Sequence, residues 1–136
     1  PAGVTVIKLM LTGVSNNGTS ALMAQLGDSD GIETSAYVCN ASNDSGESTQ
    51  STAGFLCGVS FNQATGTLTT GILTICLKDS ANNEWVAFGG MGETQSSYNI
   101  ETIGSKSLSG VLTQVRLTAI NGSDVFDAGS AAIQFQ

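Results

Sequence analysis

Histidine is absent from the sequence, proline occurs once, and only four residues carry positive charge. The missing imidazole removes the usual general base of Ser-His-Asp and Cys-His hydrolases. It also removes the common companion of cysteine in zinc sites, and the three cysteines form no Cys-x-x-Cys pair. Lys8, Lys78, Lys106 and Arg116 are scattered among eleven acids, giving a net charge of −7. No basic patch is available to neutralise phosphates, so nucleic-acid binding is not expected, and anionic membrane surfaces are disfavoured. No stretch approaches the roughly 20 apolar residues that a bilayer span requires, so membrane insertion is not expected either. The early run from Val4 to Leu11 is interrupted by Lys8 and is too short for a signal peptide.

Charge is scarce overall, at 11% of residues, against about 25% in ordinary globular proteins. A surface built from Ser, Thr, Asn, Gln and Gly suits a protein held in a permanent assembly or facing glycans. The length of 136 residues and hydrophobic fraction of 40% fit one domain, 1–136, with one ordinary core. A chain opening at Pro1 is expected to be either a small protein trimmed of its initiator methionine or a terminal domain of a longer fibre. Cys39, Cys57 and Cys76 each have apolar neighbours, which favours reduced, packed thiols, with a Cys39–Cys57 bridge as the alternative. Four Asn-x-Ser/Thr triplets, at Asn17, Asn40, Asn43 and Asn121, are expected by chance in so polar a chain.

Short apolar runs separated by glycine-rich punctuation alternate with a period of two. Val115, Leu117 and Ala119 interleave with Gln114, Arg116 and Thr118, and Leu73, Ile75 and Leu77 with Thr74, Cys76 and Lys78. Alternation of this kind places one face on a core and the other outward. Strands are predicted at 4–14, 20–26, 32–39, 54–60, 67–78, 84–90, 97–103, 112–120 and 131–135. Ser20 to Leu26 is the best helical candidate but is read as a strand. Asn16-Asn17-Gly18, Asn121-Gly122 and Ala128-Gly129 supply turn chemistry, and Asp79 to Asn83 suits a hairpin. Two polar segments, 40–52 and 89–97, are predicted as exposed recognition loops. The pattern indicates an all-β chain forming an antiparallel β-sandwich, with a jelly roll as the expected topology.

Catalytic signatures fail one by one. Gly104-Ser105-Lys106-Ser107 has too few glycines for a phosphate loop. Asp28, Asp30 and Glu33 form the densest acidic set, but a glycosidase pair wants an aromatic-lined cleft, and aromatics are 6% of the chain. Asp28-Ser29-Asp30-Gly31 begins like a calcium loop, yet its twelfth position is Cys39, not Glu. It is read as a polar turn between strands. Asp124 and Asp127 are read as solvated loop and strand-edge acids. Trp85, Tyr37 and Tyr98 are read as core or interface aromatics. No residue is assigned a catalytic, cofactor or metal role, no cofactor is implied, and the chain is not expected to be an enzyme.

Residues Gln25 to Tyr37, Ser51-Thr52-Ala53-Gly54-Phe55, Gly110 to Thr118 and Asn121 to Ser130 together resemble segments of tailed-bacteriophage virion structural proteins. The closing region is similar to the C-terminal signature of phage fibre domains, without the final acid. The resemblance implies a β-sandwich on the virion surface, commonly trimeric, with no chemistry of its own. Its partners would be itself, other capsid or tail proteins, and a host surface glycan. The expected function is therefore a homotrimeric surface fibre or head-fibre module. A capsid decoration protein that clamps capsomers is the alternative. A carbohydrate-binding module using Trp85, Phe88 and Tyr98 is a further one.

Overall fold

The computed structural model describes residues 3–59, 63–94 and 98–136. Eleven strands are found among them: β1 (Val6–Asn16), β2 (Leu22–Asp28), β3 (Gly31–Ile32), β4 (Tyr37–Asn43), β5 (Ser48–Ser51), β6 (Phe55–Leu56), β7 (Thr69–Asp79), β8 (Glu84–Glu93), β9 (Tyr98–Ser107), β10 (Gln114–Ala119) and β11 (Phe126–Phe135). All pair antiparallel, in a seven-stranded sheet ordered β11-β1-β7-β8-β9-β4-β5 and a four-stranded sheet ordered β10-β2-β3, with β6 also on β2. The two sheets pack together as the β-sandwich expected from the sequence. The chain repeatedly crosses between them, and the meander β7-β8-β9 forms the middle of the large sheet.

Period-two alternation sets the faces. Ile7, Leu9 and Leu11 of β1, Leu73 and Ile75 of β7, and Trp85, Ala87 and Met91 of β8 point into the core. Strand β2 is buried along its whole length, because β10, β3 and β6 flank it and the large sheet covers it. The segment predicted at 20–26 is thus a strand and not a helix, over Leu22–Asp28. Phe55 anchors the middle of the core: its ring meets Tyr37 edge-on at 5.2 Å between centroids. A Cβ on Gly104 would lie 2.9 Å from that ring and 2.7 Å from the Val38 carbonyl oxygen, so the strand must offer a bare backbone there.

Four expectations need correction. Segment 40–52 is not a loop: Asn40–Asn43 belongs to β4, and Ser48–Ser51 forms the edge strand β5. Asn40, Ser48 and Gln50 face solvent, whereas Ala41 is fully buried, Asn43 is buried and Thr49 donates to the Val59 carbonyl. Gly89 to Glu93 of the second presumed loop continue β8, with Met91 and Glu93 buried, while 95–97 fall outside the described residues. Ala128-Gly129 is no turn but lies inside β11, where Gly129 (φ 83) faces Gly13 (φ 58) across a register shift in β1. The strand predicted at 32–39 is split, because the chain leaves the small sheet after Ile32 and enters the large one at Tyr37, through Ala36 in the left-handed region (φ 59).

The turn at Asp79 to Asn83 forms as expected. Asp79 Oδ1 accepts from the Ala81 N–H at 2.8 Å, and Asn83 takes a left-handed conformation (φ 47). At the other end, Asp124 accepts from the Ser20 N–H at 3.1 Å and from Asn121 Nδ2 at 2.7 Å. It is thus a pin between loops and not a free acid. Gly18 is required by that pin, since a Cβ would fall on the Asp124 carboxylate.

Candidate interaction surface

The outward face of the large sheet carries the most exposed apolar side chains. Strand register places Thr74, Phe88, Ile103 and Asn40 in one row across β7, β8, β9 and β4. The flanking rows are Cys76, Val86, Ser105 and Val38 on one side, and Ile72, Gly90, Glu101 and Ser42 on the other. Val38 is 72% exposed, Phe88 60%, Ile103 59% and Ile72 47%. Single exposed apolar residues are ordinary, but a contiguous set on one flat face is not. Phe88 was singled out from the sequence, as one of three sugar-facing aromatics; Val38 and Ile103 were not. The signal for the outward half of β8 was present: Trp85-Val86-Ala87-Phe88 is an unbroken apolar run on a strand, so half of it must leave the core. Beside the patch, Val38, Asn40, Gln50, Ile103 and Ser105 line a shallow cleft of about 610 Å³.

A second open surface is β11. It is the sheet edge opposite β5, and all ten of its residues are exposed. The small sheet stops short of it, leaving a groove of about 110 Å³ whose lining includes Val4, Leu112, Val115, Ile133 and Phe135. Its only charge is Asp127, whose Oδ1 accepts from Ser15 Oγ. An edge this long with one charge is poorly guarded against pairing with another chain.

The residues weighed for chemistry are tied into structure. Asp28 is buried in the turn between β2 and β3, accepts from the Asp30 N–H at 2.9 Å, and lies 2.7 Å from Ser109 Oγ. The Ser109 contact and that N–H hold its carboxyl below the usual range. Glu33 pairs with Lys106 and accepts from the Ser109 N–H at 2.7 Å. Burial alone would raise the Glu33 pKa, but the Lys106 and Ser109 contacts outweigh it and the net shift is downward. Lys106 itself is buried, with Nζ 5.2 Å from the centre of the Tyr37 ring. Tyr37 receives the Leu26 N–H at 2.7 Å, and burial pushes its phenol up to about 12. Asp30 is exposed on the turn and does not converge with the other two acids.

The aromatic trio does not share a face. Trp85 and Tyr98 sit on the core side of their strands, whereas Phe88 points outward. The indole N–H of Trp85 is buried with no acceptor. Cys39 and Cys57 are buried free thiols in the core, and burial raises both, Cys57 to about 12. Cys76 is half-buried on the outward face. Glu93 is a buried carboxyl that sequence reading missed. It accepts from Gln63, and burial, with repulsion from Glu47, raises its pKa to about 7. Among the described residues, no group of three or more His, Cys, Asp or Glu stands close enough to hold a metal ion.

No family model, curated protein or solved structure matches the chain.

Proposed function

We propose that this chain is a non-enzymatic virion structural protein of a tailed phage, a homotrimeric fibre or head-fibre module on the particle surface. The observation that carries the reading is the sandwich's unguarded exterior: an apolar sheet face and an open ten-residue edge strand, with 11% charge in the whole chain. A protein free in solution needs charges or covering elements at such places; one assembled on a particle covers them with neighbours. The resemblance of residues 25–37 and 110–130 to phage virion proteins points the same way. The engagement of Asp28 and Glu33 with Ser109 and Lys106 leaves no free acid pair at the one place the sequence offered for glycoside hydrolysis.

The capsid-decoration reading draws on the same surfaces and differs in copy number. The test is antibody labelling and quantitative mass spectrometry of purified particles from the phage that encodes the chain. A few dozen copies or fewer on surface projections supports a fibre, and hundreds over the capsid supports decoration. Particles that lack the protein overturn both.

A further inference from the structure

Glycines divide the large sheet into two unlike faces. On the core side, a Cβ at Gly71, Gly89 or Gly104 would approach backbone oxygen to 2.2, 2.6 and 2.7 Å, so the fold itself demands glycine. On the outward side, a Cβ at Gly90 would meet nothing within 4 Å, and Gly90 has no positive φ to justify its presence. Glycine inside a strand is destabilising relative to alanine. One use for a strand glycine that packing does not require is the close approach of another backbone. Gly90 lies beside Ile72 and two residues along the strand from Phe88, in the row that flanks the centre of the apolar patch.

The charges around that patch say what kind of chain approaches. Lys8 on β1 lies in the Thr74–Phe88–Ile103 row on one side, and Glu101 on β9 lies beside Gly90 on the other. Neither has an ion-pair partner among the described residues. They stand three strands apart, roughly 14 Å at the usual strand spacing. A face that is apolar in the middle, positive on one side and negative on the other lets the Lys8 side of one copy meet the Glu101 side of the next around a three-fold axis. Its size is also suitable. Five strands at about 4.8 Å, over about nine residues at about 3.3 Å, give roughly 700 Å². One partner in a standard protein–protein interface contributes about 800 Å².

We infer that copies of this chain associate through the outward face of the large sheet, with Phe88 and Ile103 in the dry centre and Lys8 of one copy against Glu101 of the next. The inference rests on the homotrimer reading and names its interface. The shallow cleft at Val38, Asn40 and Gln50, across the sheet from Lys8, receives the neighbouring copy.

The test is light scattering coupled to size exclusion over a concentration series, on the full chain and four variants. The unaltered chain is expected to be oligomeric. Phe88→Glu is expected to be a folded monomer, with the strand circular dichroism of the parent and a dissociation constant raised at least about 30-fold, as for a central hot spot. Lys8→Glu and Glu101→Lys are each expected to weaken association, and the double exchange to restore most of it. A monomeric parent, an oligomer indifferent to Phe88→Glu, or a double exchange no better than the single variants overturns the inference. If Phe88→Glu fails to fold, the charge exchanges decide, since Lys8 and Glu101 lie outside the core. Particle labelling, which tests the virion reading, is unaffected by any of these results.

Discussion

Lys106, on the core side of β9, makes its ion pair with Glu33 just beyond β3, so one salt bridge ties the large sheet to the end of the small one. The two partners are unequally buried: the Lys106 side chain is 2% exposed and that of Glu33 22%. That inequality gives the two deletions different costs. Glu33→Gln strands an ammonium in the core and is expected to cost about 3 kcal/mol. Lys106→Met replaces the buried charge with apolar atoms and leaves Glu33 partly solvated and still bonded to Ser109, at about 1 kcal/mol. Urea unfolding of both variants checks the order; a costlier Lys106→Met refutes it.

Glu93 should make the fold weaken as pH rises. Its folded pKa of about 7 lies above the usual carboxyl value of 4.5. The folded state therefore holds the proton more tightly than the unfolded one. Its contribution is complete below about pH 4.5 and is lost as pH climbs through 7. The expected loss from this group between pH 5 and 8 is about 1–3 kcal/mol. Glu93→Gln should remove that decline in a chemical-denaturation series, and an unchanged slope would show that the carboxyl is not desolvated.

Trp85 buries its indole without a partner for the N–H. Trp85→Phe gives up some volume but also removes an orphaned donor, so a loss within about 1 kcal/mol is expected. Trp85→Ala should cost about 3–5 kcal/mol through its cavity. A Trp85→Phe loss well above about 1 kcal/mol would mean that the N–H is satisfied in solution.

Gly104 and Gly90 should answer oppositely to alanine. At Gly104 the added methyl collides with Phe55 and with the Val38 carbonyl, a clash expected to cost about 2 kcal/mol or more. At Gly90 there is open space, and the monomer should gain about 0.5–1 kcal/mol. The same methyl is expected to loosen self-association, so thermal stability at low concentration and oligomer size should move in opposite directions.

The thiols should react in sequence. Cys76, half-buried on the outward face, is expected to label first, and more slowly in the oligomer than in the Phe88→Glu monomer. Cys39 and Cys57, buried and held as neutral thiols, should label only on unfolding. Prompt labelling of Cys57 would place it outside the core.

Alternation at Leu73-Thr74-Ile75-Cys76-Leu77 and Val115-Arg116-Leu117 was enough to place β7 and β10, because each strand needs a face for the core. The same pattern misled at 40–52. An edge strand of Ser, Thr and Gln buries little and so resembles a loop in composition, yet its backbone completes the sheet beside β4. Of the candidate surface, only the outward half of the run Trp85-Val86-Ala87-Phe88 was legible. The joining of Val38, Ile103 and Ile72 to it depends on register between strands that lie far apart in the chain.

By itself the sequence determined the class of fold, since period-two alternation and abundant turn residues are local properties. Tertiary structure alone decided which sheet each strand joins, that Lys106 and Glu93 are buried, and that the exposed apolar residues form one face. Those outcomes follow from pairing and burial across long chain separations, which no local pattern encodes.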